Sequence, residues 1–136
     1  TAEAVLAAAG AQSAELSLVL VSDRRMRSLN RRYRKKDRTT DVLAFPMHER
    51  KRGQIYFPWR KTNLSPFLLG DVVISLPTAK RQAAELGHSL RDEVSRLLVH
   101  GVLHLLGYDH ERSERDALLM ARREKAVLRT IRGKGN

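Results

Sequence analysis

The sequence predicts an α+β fold, with a small mixed β-sheet of three to four strands packed with about five helices. Two observations support this. Short segments rich in β-branched residues lie in the first 75 residues, whereas long amphipathic patterns fill the second half. Strands that come early and helices that come late favour helices packed on one sheet. No repeat, linker or low-complexity block divides the 136 residues, so we expect a single domain over 1–136.

The first two elements are an N-terminal helix and a strand. Residues 2–9 are alanine-rich and favour a helix, which Gly10 ends. Residues 15–22 alternate at first and then become continuously apolar. This pattern is typical of a strand covered on both faces.

A basic helix and a short strand come next. Ser22 or Asp23 can cap a helix that runs to about Tyr33, and we expect Met26, Leu29 and Tyr33 to face the core. Residues 39–46 predict a short strand ended by proline. The charged segment 48–61 has no sustained periodicity, and its role stays open.

The remaining elements are one strand and three helices. Residues 70–75 are compact and β-branched, as in a central strand, and a helix over 78–86 follows. Ser89 caps a long helix through Leu106, and 113–131 predicts a last amphipathic helix.

Composition restricts the partners of the chain. Its net charge of +11 favours a polyanion, with nucleic acid the commonest. The absence of cysteine excludes disulfides, disulfide-linked partners and thiolate metal sites, and it fits a reducing compartment. The apolar runs are too short to span a bilayer and the N-terminus has no signal pattern. We therefore expect a cytoplasmic protein without a membrane partner.

Positive charge is densest on the basic helix and in the turn after it, where two aspartates offset nine cations. Such a density favours contact with phosphates, although a merely solvated face is the alternative. The candidate nucleic-acid contacts here are Arg24, Arg27, Arg31, Arg32, Lys35, Lys36 and Arg38.

Three of the five histidines fall within eleven residues, in an otherwise apolar segment. A helix through Leu97 to Leu106 places His100 and His104 on one face, one turn apart. Gly107 can end that helix and allow the chain to bring His110 back toward the same face. Three converging imidazoles with a fourth position for water are typical of a catalytic zinc site. A lone core histidine is usually structural, but three at this spacing favour one Zn²⁺ ion.

The spacing H-x-x-x-H-x-x-G-x-x-H also matches the signature of metzincin proteases except at one position. Those proteases carry a glutamate after the first histidine as general base, and this chain has Gly101 there. The ligand spacing is kept, but peptide hydrolysis lacks its proton acceptor.

Three segments together resemble the YbeY family of bacterial endoribonucleases and rRNA maturation factors, over roughly residues 15–130. They are H-G-x-L-H-L-x-G-Y-D-H at 100–110, L-N-x-x-Y-R-x-x-D at 29–37 leading into T-D-V-L-x-F-P at 40–46, and G-D-V-V-I at 70–74. The resemblance implies zinc-dependent cleavage of single-stranded RNA, with action on the 3′ end of small-subunit 16S rRNA and on defective ribosomes. It also implies that His100, His104 and His110 are the metal ligands and that Arg34 serves catalysis or RNA contact.

The proton acceptor stays open among Asp41, Asp71 and Asp109. In a further alternative, the 2′-hydroxyl of the RNA is the nucleophile and metal-bound hydroxide is the base. Two alternative functions also stay open. One is a non-catalytic, ribosome-associated RNA-binding factor with a structural metal, and the other is a metalloprotease-like hydrolase.

Overall fold

A computed structural model describes residues 2–9, 14–47, 67–108 and 113–134, and these ranges contain five helices and three strands. In chain order they are α1 (Ala2–Ala8), β1 (Ala14–Val21), α2 (Asp23–Arg34), β2 (Val42–Pro46), β3 (Phe67–Ser75), α3 (Leu76–Leu86), α4 (Leu90–Leu105) and α5 (Glu114–Lys134). The predicted α+β class is confirmed. The segment 48–61 lies outside the described residues.

Strand β3 is the centre of the sheet, parallel to β1 and antiparallel to β2. Its side chains alternate between two apolar clusters. Val72 and Ile74 join the larger cluster with α1, α4 and α5, whereas Val73 packs with Met26 of α2 and with Leu43. The sheet therefore separates the basic helix α2 from the histidine-bearing helix α4.

Strand β1 differs from its prediction as a doubly covered strand. It pairs only with β3 among the described residues, and Leu18, Val19 and Leu20 are 37%, 41% and 51% exposed. A continuous apolar run shows that a segment is hydrophobic, but it does not show whether the strand lies at the centre or at the edge of the sheet. The same pattern therefore fits an edge strand.

Asp23 fixes the start of α2 against the junction of β3 and α3. Its carboxylate accepts hydrogen bonds from Ser75 Oγ at 2.6 Å, from the Thr78 hydroxyl and from Arg81 at 2.7 Å. These bonds, with that from Ser75 the largest cause, lower the pKa of Asp23 from 3.8 to about 2. The first turn of the basic helix is thus tied to the sheet.

Helix α4 is the most deeply buried helix and carries the histidines. The hydroxyl of Ser89 caps it by accepting from the Asp92 N–H at 3.0 Å. Its apolar positions include Leu97, Val102 and Leu103, all at most 1% exposed. This packing holds the face with His100 and His104 in a set position relative to β2 and β3.

Candidate active site

A cavity of about 340 Å³ opens between the last turn of α2, the loop that follows it, β2 and the C-terminal half of α4. The cavity brings the imidazoles of α4 together with cations from the end of α2 and from the loop that follows it. Its lining residues are Asn30, Arg34, Lys36, Arg38, Thr40, Asp41, Val42, Leu43, Ala44, His100, Gly101 and His104. Segments 60 residues apart in sequence therefore form one polar, positively charged site.

The first two predicted ligands lie together in this cavity. The ring centres of His100 and His104 are 5.8 Å apart, with an angle of 61° between the ring planes. Both side chains are partly buried. The third predicted ligand, His110, lies outside the described residues, as does Asp109. Within the described part of the chain no group of three potential ligands forms.

Helix α5 supplies a carboxylate to the first of these histidines. His100 Nδ1 is hydrogen-bonded to a carboxylate oxygen of Glu124. An ionised carboxylate accepts only, so Nδ1 is the protonated ring nitrogen beside it. The lone pair of a neutral ring then lies on Nε2.

Gly101 is a glycine because of packing. A Cβ atom at this position would lie 2.7 Å from Cγ1 and 3.1 Å from Cγ2 of Val72, which is fully buried. The position at which metzincin proteases carry their glutamate therefore has no room for a side chain in this backbone arrangement. The glutamate that serves those proteases as general base therefore cannot be accommodated at position 101.

Arg34 reaches the cavity from the last turn of α2, and its guanidinium donates to the carbonyl oxygen of Ala44 at 3.4 Å. The loop after it is held by Asn30, whose side chain donates to the carbonyl oxygen of Arg38 at 2.8 Å. Lys35 ends the helix in the left-handed conformation, with φ of 58°. This turn directs the chain back so that Lys36 and Arg38 line the cavity together with Arg34.

The other predicted RNA contacts do not line the cavity. Arg24, Arg31, Arg32 and Lys35 are exposed on α2 and at its end, and Arg27 forms a salt bridge with Asp37 at 2.9 Å. The seven predicted cations thus divide into two in the cavity and five on the adjoining surface.

Tyr33 was predicted to face the core, but its side chain is 54% exposed. It lies one residue before Arg34, with its ring edge to face against Phe45 of β2 at 5.3 Å and with the Arg32 guanidinium 5.4 Å from its centre. Of the other two residues predicted to face the core, Met26 is fully buried and Leu29 is partly buried. The last turn instead contacts the edge strand β2, and no described element covers the ring there.

A buried charge network supports α4 one to two turns before His100. The Glu93 side chain is fully buried and accepts from Arg96 at 2.9 and 2.6 Å, from Gln82 at 2.6 Å and from His88 at 2.9 Å. Burial by itself raises the pKa of Glu93, but the hydrogen bonds outweigh it and lower the pKa from 4.5 to about 2. The network continues toward the cavity, since Gln82 also donates to Asp41 at 3.4 Å.

Three residues of the site were not predicted from the sequence, namely Glu124, Glu93 and Asn30. Glu93 and Arg96 are spaced as an i, i+3 pair, and that signal was available. Glu124 is 24 residues from His100 and looks like any polar residue of an amphipathic helix. Only the packing of α5 on α4 brings it to the ring.

Comparison with known proteins identifies the family. The family model described as endoribonuclease YbeY matches residues 1–132. A relative named endoribonuclease YbeY from Aquifex aeolicus is 49% identical over 127 residues, covering 93% of this chain and 77% of that protein. Another with the same name, from Myxococcus xanthus, is 54% identical over 114 residues, covering 84% of this chain and 35% of that protein.

The fold is also similar to the solution structure of TM1509 from Thermotoga maritima. The TM-score is 0.64 at 24% sequence identity, over 97% of this chain and 79% of the other. A cavity lined by histidines and cations is chemically suited to bind a polyanion. The chain belongs to the endoribonuclease YbeY family, so the family predicted from its motifs and the enzyme class it implied are confirmed. No helix within the described ranges combines the length and hydrophobicity needed to cross a membrane.

Proposed function

We propose that the chain is a single zinc-dependent endoribonuclease domain that cleaves single-stranded RNA, in 3′-end maturation of 16S rRNA and in ribosome quality control. This role would place it in the cytoplasm with the small ribosomal subunit. The observation that supports the proposal best is the cavity in which His100 and His104 lie opposite Arg34, Lys36 and Arg38. It combines metal-ligand chemistry with charge that suits a phosphate.

The residues of the cavity fit a zinc ion. Rings with centres 5.8 Å apart can each direct one nitrogen to a common ion at the usual Zn–N distance of about 2.0–2.1 Å. We assign His100, His104 and His110 as the ligands, the last from the motif alone. When bound, zinc would polarise a water molecule or a phosphoryl oxygen of the RNA.

Arg34 is the proposed catalytic cation. Its guanidinium lines the same cavity as the histidines and is held by the Ala44 carbonyl. A planar, permanently charged group in that position would neutralise the charge that builds up on the phosphate in the transition state. Lys36 and Arg38 would hold the flanking phosphates, and the five remaining predicted cations would extend this contact along α2.

The positions of the candidate aspartates relative to the cavity reduce the choice of proton acceptor. Asp41 lines the cavity, where its carboxylate accepts from the Val42 N–H at 2.8 Å. Asp71 is not among the lining residues. Asp109 lies outside the described residues. Among the aspartates that the structure describes, we therefore propose Asp41 as the group that takes the proton.

A preference for single strands is supported by Tyr33. The exposed ring packs against Phe45 of β2 and lies one residue before Arg34, which lines the cationic cavity. Unpaired bases can stack on such a ring, whereas bases inside a duplex cannot reach it. Tyr33→Leu should therefore weaken binding of single-stranded RNA more than it weakens binding of a duplex.

Cleavage of a labelled single-stranded RNA by tag-free protein, with and without chelator, tests the proposal. The wild type should cut and lose activity with chelator, and His104→Ala should still bind RNA without cutting. A folded His104→Ala variant that cuts at the wild-type rate would contradict the metal mechanism. A wild type that binds RNA but never cuts it would favour the non-catalytic factor. Cleavage of an unfolded protein substrate would favour the protease, which the Gly101–Val72 contact disfavours.

A further inference from the structure

We infer that Glu124 is a positioning residue for the metal site, acting through His100. This inference rests on the proposed function, because it concerns one of the proposed zinc ligands. Its basis is the hydrogen bond between the Glu124 carboxylate and His100 Nδ1, which joins α5 to α4 across 24 residues of sequence. The two side chains are 24% and 27% exposed, so the contact is largely shielded from water.

The chemistry of this pair determines which ring nitrogen can bind a metal. A neutral imidazole carries its proton on either nitrogen, and only the other one has a lone pair to donate. With the Glu124 carboxylate as acceptor, the proton stays on Nδ1 and the lone pair on Nε2. The contact also restricts rotation of the ring. Carboxylate partners of this kind raise the basicity of ligating histidines and orient them.

Arg96 and Glu124 attract each other electrostatically. It lies one turn before His100 on α4 and is anchored by two bonds to Glu93. Its pKa is raised by the hydrogen bond to Glu93 and further by attraction to Glu93, Asp41 and Glu124.

Glu124 acts through the ring and not on the substrate. It is not among the residues that line the cavity, whereas His100 is. A positioning role therefore predicts that metal affinity falls when the carboxylate is removed, even with no RNA present.

The test measures zinc affinity by competition with a chromophoric chelator, on tag-free wild type and on Glu124→Ala, Glu124→Gln and Glu85→Ala. Glu85 is an exposed glutamate of α3 outside the cavity and serves as the matched control. We expect Glu124→Ala to bind zinc about 10 to 100 times more weakly, as is typical for loss of such a partner. Glu124→Gln keeps an oxygen that can accept from Nδ1, so its loss should be smaller. Glu85→Ala should match the wild type.

Urea unfolding in the presence of chelator separates this effect from a loss of fold. A structural role alone would lower stability in chelator and leave the zinc affinity of the folded protein unchanged. Zinc affinities within twofold of wild type for Glu124→Gln and for any folded Glu124→Ala protein would overturn the inference. A wild type that takes up no zinc would instead overturn the proposed metal site, and the role of Glu124 with it.

Discussion

The contact between Gly101 and Val72 offers a sharp test of how α4 is seated on the sheet. An alanine Cβ at position 101 would lie 2.7 and 3.1 Å from the two methyl groups of Val72. Val72 is fully buried, and a β-branched side chain has no flexible end that could move aside. Replacement of Gly101 by alanine should therefore force a shift between α4 and β3.

Two opposing effects determine how much Gly101→Ala changes the free energy of unfolding. An extra methyl in a well-packed core costs about 1–3 kcal/mol, whereas glycine to alanine inside a helix contributes about 1 kcal/mol of stability. Gly101→Ala should thus lower the free energy of unfolding by up to about 2 kcal/mol. Val72→Ala removes both crowded methyl groups, and the nearest atom is then the residue 72 Cβ at 3.5 Å, an ordinary contact. In that background the same substitution should be neutral or stabilising.

Urea unfolding followed by circular dichroism measures the four corners of this double-mutant cycle. We expect a coupling free energy of about 1–3 kcal/mol between the two positions. Gly87→Ala is the control, because its penalty comes from a φ of +70° and no atom lies within 4 Å of its added Cβ. Its cost should be the same in both backgrounds. If Gly101→Ala stabilises the wild type, or if its effect is the same with Val72→Ala, the packing argument is wrong.

Three further predictions concern charge. The pKa of Glu93 is lowered from 4.5 to about 2, which corresponds to roughly 3 kcal/mol of stability that is present above pH 4.5 and lost as the pH falls toward 2. Glu93→Gln should be less stable than wild type at pH 7, and the difference should shrink in acid-unfolding series; a constant difference would contradict this. Arg34→Ala should lower kcat about 100-fold and change KM much less, with Arg34→Lys between; equal changes in both would make it a binding residue. Charge reversal of Arg31 and Arg32 should make the plot of log affinity for RNA against log salt concentration less steep. The slope should fall by at least about 1.4, because each lost phosphate contact on a single strand accounts for about 0.7. The control reverses two exposed cations of α3 and α4, Lys80 and Arg91. An equal change in slope for both pairs would mean that the α2 face acts only through net charge.

Features that have their cause within a single helix or strand could be predicted from the sequence. Ser22 and Ser89 stand at the predicted starts of α2 and α4 because a cap bonds only to the next few backbone groups. The spacing of His100 and His104 places them on one face for the same local reason. The motifs around them also named the family correctly.

Features that depend on neighbours distant in sequence became visible only in the folded chain. It exposes the apolar β1 and the ring of Tyr33, because both lie at edges of the sheet. It also brings Glu124 to His100 and Val72 to Gly101. Periodicity tells which face of an element is apolar, but it carries no information on which element packs there. The partner that orients an imidazole, or that leaves no room for a side chain, is set by that packing.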